Sequence, residues 1–161
     1  MDVYLIQHAE SKPKEEDPAR PLTDRGRAEV EAIGAHLTRL GIRFDQVFHS
    51  GKLRAQQTAE ILGGCLKSRV EARLGLDPAD PVEPIMRWLS ELSEQAEVGM
   101  KSIAIVGHLP FLDKLVSILV TGSESEGVVA FQYAAVVNLI PKKEGERYRV
   151  RWMLVPELIT A

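Results

Sequence analysis

Residues 3–10 read Val3-Tyr4-Leu5-Ile6-Gln7-His8-Ala9-Glu10, four apolar residues that stop abruptly at a glutamine and a histidine. The apolar run predicts a buried strand, placed at residues 2–6. The polar stretch that follows carries Pro13, Pro18 and Pro21 before any helical pattern begins. A histidine at the carboxyl end of a buried strand, opening a long loop, is where an α/β protein places chemistry. The remaining chain is therefore read for the groups it brings to His8.

The loop spans residues 7–22, longer than the usual run of about 2–6 residues, and is expected to be functional or mobile. Thr23 then predicts an N-cap with Asp24 in the first turn. Val30, Ile33, Leu37 and Leu40, at spacings of 3, 4 and 3, predict a helix with one buried stripe, and Gly41 stops it. Residues 46–50 predict a second strand. Ala55, Ala59, Leu62 and Leu66 mark a second helix, expected to break at Gly63-Gly64. Residues 70–74 predict a weaker third strand, and the prolines of the segment 76–81 exclude it from a helix interior. Ile85, Leu89, Leu92 and Ala96 share one face of a third helix.

Residues 102–106 form the cleanest apolar run, closed by Gly107-His108, and Pro110 stands where a fourth helix begins, carried by Leu112, Leu115, Val116 and Leu119. Residues 134–140 and 148–155 predict a hairpin around Lys142-Lys143-Glu144-Gly145. In its last strand Tyr148, Val150, Trp152 and Leu154 alternate with Arg149 and Arg151, the pattern of a half-exposed edge. Four strand–helix alternations predict a three-layer α/β/α sandwich, mainly parallel with an antiparallel edge strand, and a single domain over residues 1–161.

Composition bounds the function. At 161 residues, 45% hydrophobic and 27% charged, the chain is in the ordinary globular range. A formal charge of −3 and a pI near 5.8 argue against nucleic acid or an anionic membrane as partner, so an anionic ligand needs a local positive pocket. The single cysteine, Cys65, excludes an internal disulfide and a cysteine-cluster metal site. No leader-like start and no apolar run near the roughly 20 residues of a membrane span are present, so a cytoplasmic location is expected.

In a parallel sheet the strand carboxyl ends share one edge. Gln7-His8 after the first strand, residues 50–54 after the second and Gly107-His108 after the fourth meet there. Two histidines and an arginine beside helix N-termini describe a phosphate site. Other groups have plainer readings: His49 as structural, His36 as solvent-facing, Cys65 as a small hydrophobe and Ser50 as a cap of the second helix. Glu10 is either a loop charge or a group that orients the site. The Gly122 to Gly127 spacing is not a P-loop, because Val128 and Val129 stand where Lys and Ser/Thr are required.

Four motifs occur in order: Leu5-Ile6-Gln7-His8-Ala9-Glu10, Arg20-Pro21-Leu22-Thr23-Asp24-Arg25-Gly26, His49-Ser50-Gly51-Lys52-Leu53-Arg54-Ala55-Gln56-Gln57-Thr58-Ala59 and Val106-Gly107-His108-Leu109-Pro110. Together they resemble the histidine phosphatase superfamily, of phosphoglycerate mutase-like fold, in its SixA-type phosphohistidine phosphatase branch. The resemblance implies covalent phosphoryl transfer with His8 as nucleophile, Arg54 clamping the phosphoryl oxygens and His108 donating to the same group. Gln7 and Arg20 join the phosphate-binding set. Neither metal nor cofactor is implied.

Two departures bear on the chemistry. The family pattern begins Arg-His-Gly, whereas this chain has Gln7-His8-Ala9. Glutamine loses the charge and the fork of arginine but keeps an amide donor, so Arg20, Lys12 and Lys52 become candidate compensating cations. The carboxylic acid of relatives with alcohol leaving groups is also not evident: Leu109 follows His108, and Asp77, Asp80 and Glu83 sit in no recognisable motif. Its absence favours phosphohistidine as substrate, because imidazole departs more readily than an alkoxide. Three functions follow: a phosphatase for phosphohistidine on a protein such as a histidine phosphotransfer domain, a phosphatase for small phosphate esters, or a weakly active or non-catalytic phosphate-binding module.

Overall fold

β1 (Asp2–Gln7) pairs in parallel with β4 (Ser102–Gly107), residue for residue from Asp2↔Ser102 to Gln7↔Gly107. The computed structural model describes residues 1–95, 99–143 and 147–159. Around the central pair, β2 (Gln46–His49), β3 (Arg69–Ala72), β5 (Val136–Pro141) and β6 (Tyr148–Leu154) complete a six-stranded sheet in the order β3-β2-β4-β1-β5-β6. β3, β2, β4 and β1 are parallel, and the antiparallel pairing enters through β5, which opposes both β1 and β6.

Alternation along the central strands divides the core into two layers. Val3, Leu5, Ile103, Ile105, Val137 and Leu139 face α3 (Glu83–Gln95) and α4 (Phe111–Thr121). Tyr4, Ile6, Ala104, Val106 and Val136 face α1 (Asp24–Arg39) and α2 (Leu53–Leu66). Burying each large apolar side chain contributes about 1.5–3 kcal/mol, which is why the strands read as continuous apolar runs. This is the expected α/β/α sandwich. Among the described residues no helix is long and apolar enough to cross a membrane.

Several local expectations change. Leu40 is 61% exposed rather than buried, because it is the C-cap of α1 and the chain turns away at Gly41 (φ 70°). α2 runs through Gly63-Gly64 to Leu66 and ends at left-handed Lys67. Gly63 serves packing, since a Cβ there would lie 2.3 Å from Val70 Cγ2. A Cβ on Gly34 would lie 2.7 Å from Cys65 Sγ, so Cys65 packs at the α1–α2 contact, as a small hydrophobe does. β3 stops at Ala72 and leaves Leu74 exposed.

β5 starts at Val136, because Ala134 adopts a left-handed φ of 59° that no strand continues. In β6 the register against β5 slips between Asn138 and Leu139, and this bulge interrupts the expected alternation. Tyr148 and Met153 therefore pack on the α3–α4 side, Trp152 and Leu154 on the other. The predicted hairpin joins Pro141 to Tyr148, while Glu144, Gly145 and Ala96 of the third helical stripe lie outside the described residues.

The long segment after β1 is tied rather than loose. Ser11 bridges Leu22, the Lys12 N–H donates to the Pro21 carbonyl at 2.8 Å, and the Glu16 and Asp17 N–H groups donate to Pro13. Thr23 caps α1 as expected, accepting from the Gly26 N–H at 3.0 Å. Glu10 accepts from both the Thr23 N–H and its hydroxyl, which resolves it as an anchor between loop and helix.

Candidate active site

From β1 the chain leaves through α1 on one face of the sheet, and from its neighbour β4 it leaves through α4 on the other. Connections that diverge from two adjacent parallel strands open a crevice at their carboxyl ends. His8 and His108 are the first residues beyond those two ends, and the His8 N–H continues the ladder to the Gly107 carbonyl at 3.1 Å. Their ring centroids lie 5.1 Å apart at 51°. Both are buried, at 6% and 2% exposure.

His8 is held in one tautomer. Its Nδ1 stands 2.7 Å from the Ala9 carbonyl, which can only accept, so Nδ1 carries the proton and Nε2 keeps a free lone pair. Burial lowers its pKa to about 4 against the support of the Ala9 hydrogen bond, with Arg54 and Arg20 pushing the same way. At neutral pH the ring is uncharged, with its Nε2 lone pair available. Ala9 avoids the left-handed region, so its methyl group is accommodated, fully buried, beside His8.

His108 is likewise neutral, lowered to about 3 by burial first, then by His8, Arg54, Lys52 and Arg20. Its Nε2 lies 2.6 Å from Ser50 Oγ. Ser50 Oγ also accepts from the Lys52 N–H at 3.3 Å, and a hydroxyl that donates to Nε2 leaves the His108 proton on Nδ1. Ser50 is therefore a site residue and not the helix cap: α2 starts at Leu53 with Lys52 as N-cap, without a side-chain cap bond. His49 remains structural, accepting from the Gly51 N–H through Nδ1. His36 meets Arg39 on the outer side of α1.

Arg54 sits in the first turn of α2, its Nε buried without a hydrogen-bond partner. Burial and Arg20 lower its pKa, while Tyr133 and Asp77 oppose them. One turn on, Thr58 Oγ1 donates to the Arg54 carbonyl at 2.8 Å and accepts from the Ala9 N–H at 3.0 Å. That hydroxyl links the segment after His8 to the arginine-bearing turn, and Gln57 Oε1 adds a second tie by accepting from the Leu22 N–H.

Gln7 is buried at the end of β1, its Oε1 without a hydrogen-bond partner. A half-turn of the amide exchanges that oxygen for a nitrogen bearing two N–H donors. Gln7 Oε1, Arg54 Nε and His108 Nδ1 are buried polar atoms without a hydrogen-bond partner, on residues at or just beyond the carboxyl ends of β1, β2 and β4. His108 feels the charge of Arg54, and the grouping points to a polar ligand there. Arg20 holds a left-handed φ of 51° and donates from Nε to the Lys12 carbonyl and from Nη2 to Ser11 Oγ, both at 3.2 Å. Its charge is felt by His8, His108 and Arg54, and that of Lys52 by His108. Lys12 instead pairs with Glu16 at 3.7 Å.

Of the three candidate acids only Asp77 borders this group, through its charge on Arg54 and its contact with Lys52. Asp77 Oδ1 is 3.8 Å from Lys52 Nζ, Asp80 Oδ2 accepts from the Asp77 N–H, and Glu83 opens α3. Among the described residues none of them bonds to either site histidine.

Sequence reasoning missed Tyr133. Its ring lies 5.5 Å from that of His8 at 40°, and it is 42% exposed. The following residue anchors it: the Ala134 N–H is shared between the Gln7 and His8 carbonyls, at 3.0 and 3.4 Å. The signal was positional. An antiparallel strand beside β1 must begin where β1 ends, so the residues just before β5 fall at the site.

The pattern that describes the histidine phosphatase superfamily (branch 1) matches residues 3–81. An uncharacterized protein of Picosynechococcus sp. is 31% identical over 116 residues, covering 70% of this chain and 68% of that protein. The phosphohistidine phosphatase SixA of Escherichia coli is 28% identical over 159 residues, covering 97% of this chain and 94% of SixA. A structure of the protein histidine phosphatase SixA complexed with tungstate superimposes with a TM-score of 0.85 at 26% identity, covering 98% of this chain and 99% of that one.

Proposed function

The chain belongs to the histidine phosphatase superfamily and is a phosphatase of the SixA type, and from that premise we propose that it dephosphorylates phosphohistidine carried on a protein, with His8 as nucleophile. The observation that carries this reading is a buried, neutral His8 whose Nε2 is left free by the Nδ1 bond to Ala9, beside His108 and Arg54. The tungstate complex of SixA adds support, since tungstate is a tetrahedral oxyanion like phosphate.

In the first step His8 Nε2 attacks phosphorus and the P–N bond to the substrate imidazole breaks. The bonding pair goes to the departing ring, which leaves neutral when its other nitrogen is already protonated. In the second step water attacks the phosphohistidine, the Nε2–P bond returns its pair to His8, and inorganic phosphate departs with loss of the water proton to solvent. Arg54 and His108 donate to the phosphoryl oxygens, joined by the Gln7 amide, while Arg20 supplies positive charge in place of the missing arginine. A leaving ring that brings its own proton requires no carboxylic acid. That none of Asp77, Asp80 and Glu83 bonds to either site histidine, among the described residues, favours phosphohistidine over alcohol phosphates.

Trapping the phosphoenzyme tests the reading. Wild type mixed with phosphohistidine protein or an aryl phosphate is expected to yield an acid-labile, base-stable label and a burst of leaving group. His8→Ala abolishes both, and Arg54→Ala slows turnover by roughly 10²–10³-fold. No label on the wild type, or a label that survives His8→Ala, sinks the assignment of the nucleophile. A preference for sugar phosphates over phosphohistidine protein in direct competition would transfer the function to small phosphate esters.

A further inference from the structure

We propose that Tyr133 selects planar leaving groups, its exposed ring stacking on the imidazole that departs from phosphorus. This deepens the reading of His8 as nucleophile and rests on it. His8 and His108 are buried, whereas Tyr133 packs against His8 and is 42% exposed, so its ring forms an open wall next to the attacking ring. In-line displacement sends the leaving group away from His8 toward solvent, past the group that borders the opening.

The position is built rather than incidental. Ala134, immediately after Tyr133, bears a Cβ yet adopts a left-handed φ of 59°. A conformation of that kind persists where surrounding contacts impose it, and it gathers at functional sites. Here the imposing contact is the Ala134 N–H, shared by the Gln7 and His8 carbonyls, which fixes Tyr133 against the nucleophile. Two residues earlier, Phe131 lines a neighbouring cleft with Val129, Pro110, Asp113 and Leu109, the residue directly after His108. Against Tyr133 itself a flat ring gains stacking and buried area that a small, strongly hydrated leaving group does not.

The test compares two P–N substrates of like bond type and unlike shape, N-phosphoimidazole and phosphoramidate. Tyr133→Leu is expected to reduce the kcat/KM ratio of phosphoimidazole to phosphoramidate by roughly three- to tenfold, the range of one aromatic stacking contact. Tyr133→Phe keeps the ratio within about twofold of wild type, since the ring and not the hydroxyl is at work. An unchanged ratio in Tyr133→Leu overturns the proposal, and so does an equal fall in Tyr133→Phe. Trapped label on His8, measured in the same variants, separates the two levels. A labelled His8 with an unmoved ratio refutes the stacking role alone, and an unlabelled His8 in the wild type refutes the nucleophile and with it this proposal.

Discussion

Acidification is expected to unfold the ligand-free protein earlier than its carboxylates alone would dictate, through the two site histidines. In the folded chain His8 titrates at about 4 and His108 at about 3, whereas in the unfolded chain both return to about 6.5. Folded values below unfolded ones mean that, as pH falls below about 6.5, the unfolded state takes up protons that the folded state refuses. Stability is then lost progressively down to the folded pKa values. At pH 4.5 the loss is roughly 2.5 kcal/mol for each histidine, or about 5 kcal/mol together. At that pH His108 is still neutral and His8 only about one quarter protonated in the folded state. The two rings are almost never charged together, so their mutual repulsion adds little to the sum. Against a total stability of about 5–15 kcal/mol this is a large fraction.

Urea unfolding at constant ionic strength, at pH 7, 6, 5 and 4.5, measures the slope. His108→Asn is expected to remove about half of it, because the asparagine does not titrate. His49, whose pKa burial also lowers, contributes in the same direction and is unchanged in the comparison. A slope that His108→Asn and His8→Asn both leave intact would refute the assignment of two neutral, desolvated imidazoles.

Gln7→Arg is expected to raise turnover on phosphohistidine protein by roughly tenfold or more, because it puts a charged fork in place of an amide whose buried oxygen has no hydrogen-bond partner. Steady-state kcat decides this, and an unchanged rate would mean that Arg20 already supplies the full charge. Gly26→Ala is expected to destabilise the fold by about 1–3 kcal/mol, because the new Cβ would lie 2.2 Å from the Glu10 carbonyl oxygen. Its urea midpoint tests this, and a wild-type midpoint would show that loop and helix can separate without loss.

Much of this architecture was legible because its signals are local. Apolar runs of strand length at residues 2–6 and 102–106, each followed two positions later by a histidine, mark both halves of the site. What escaped depends on contacts distant in sequence. Gly63-Gly64 read as a break, since glycine weakens a helix, but the proximity of Val70 makes the small residue a packing requirement. Ser50 read as a cap because a serine near a helix start usually is one. Its alternative partner, His108, is 58 residues away. Tyr133 escaped for the same reason: nothing in Phe131-Gln132-Tyr133 indicates that β5 will lie against β1. The β6 bulge was equally hidden, since one unpaired residue leaves the residue types unchanged while reversing the faces they occupy.

The Thr58 hydroxyl, which receives the Ala9 N–H and reaches the Arg54 carbonyl, makes one oxygen the common fixed point of two segments 49 residues apart. The backbone that carries His8 is thus tied to the turn that carries Arg54 by two hydrogen bonds, and not only through the intervening strand, loop and helix. A displacement of the first turn of α2 is therefore passed on to the segment after β1, so the two walls of the crevice move together instead of independently.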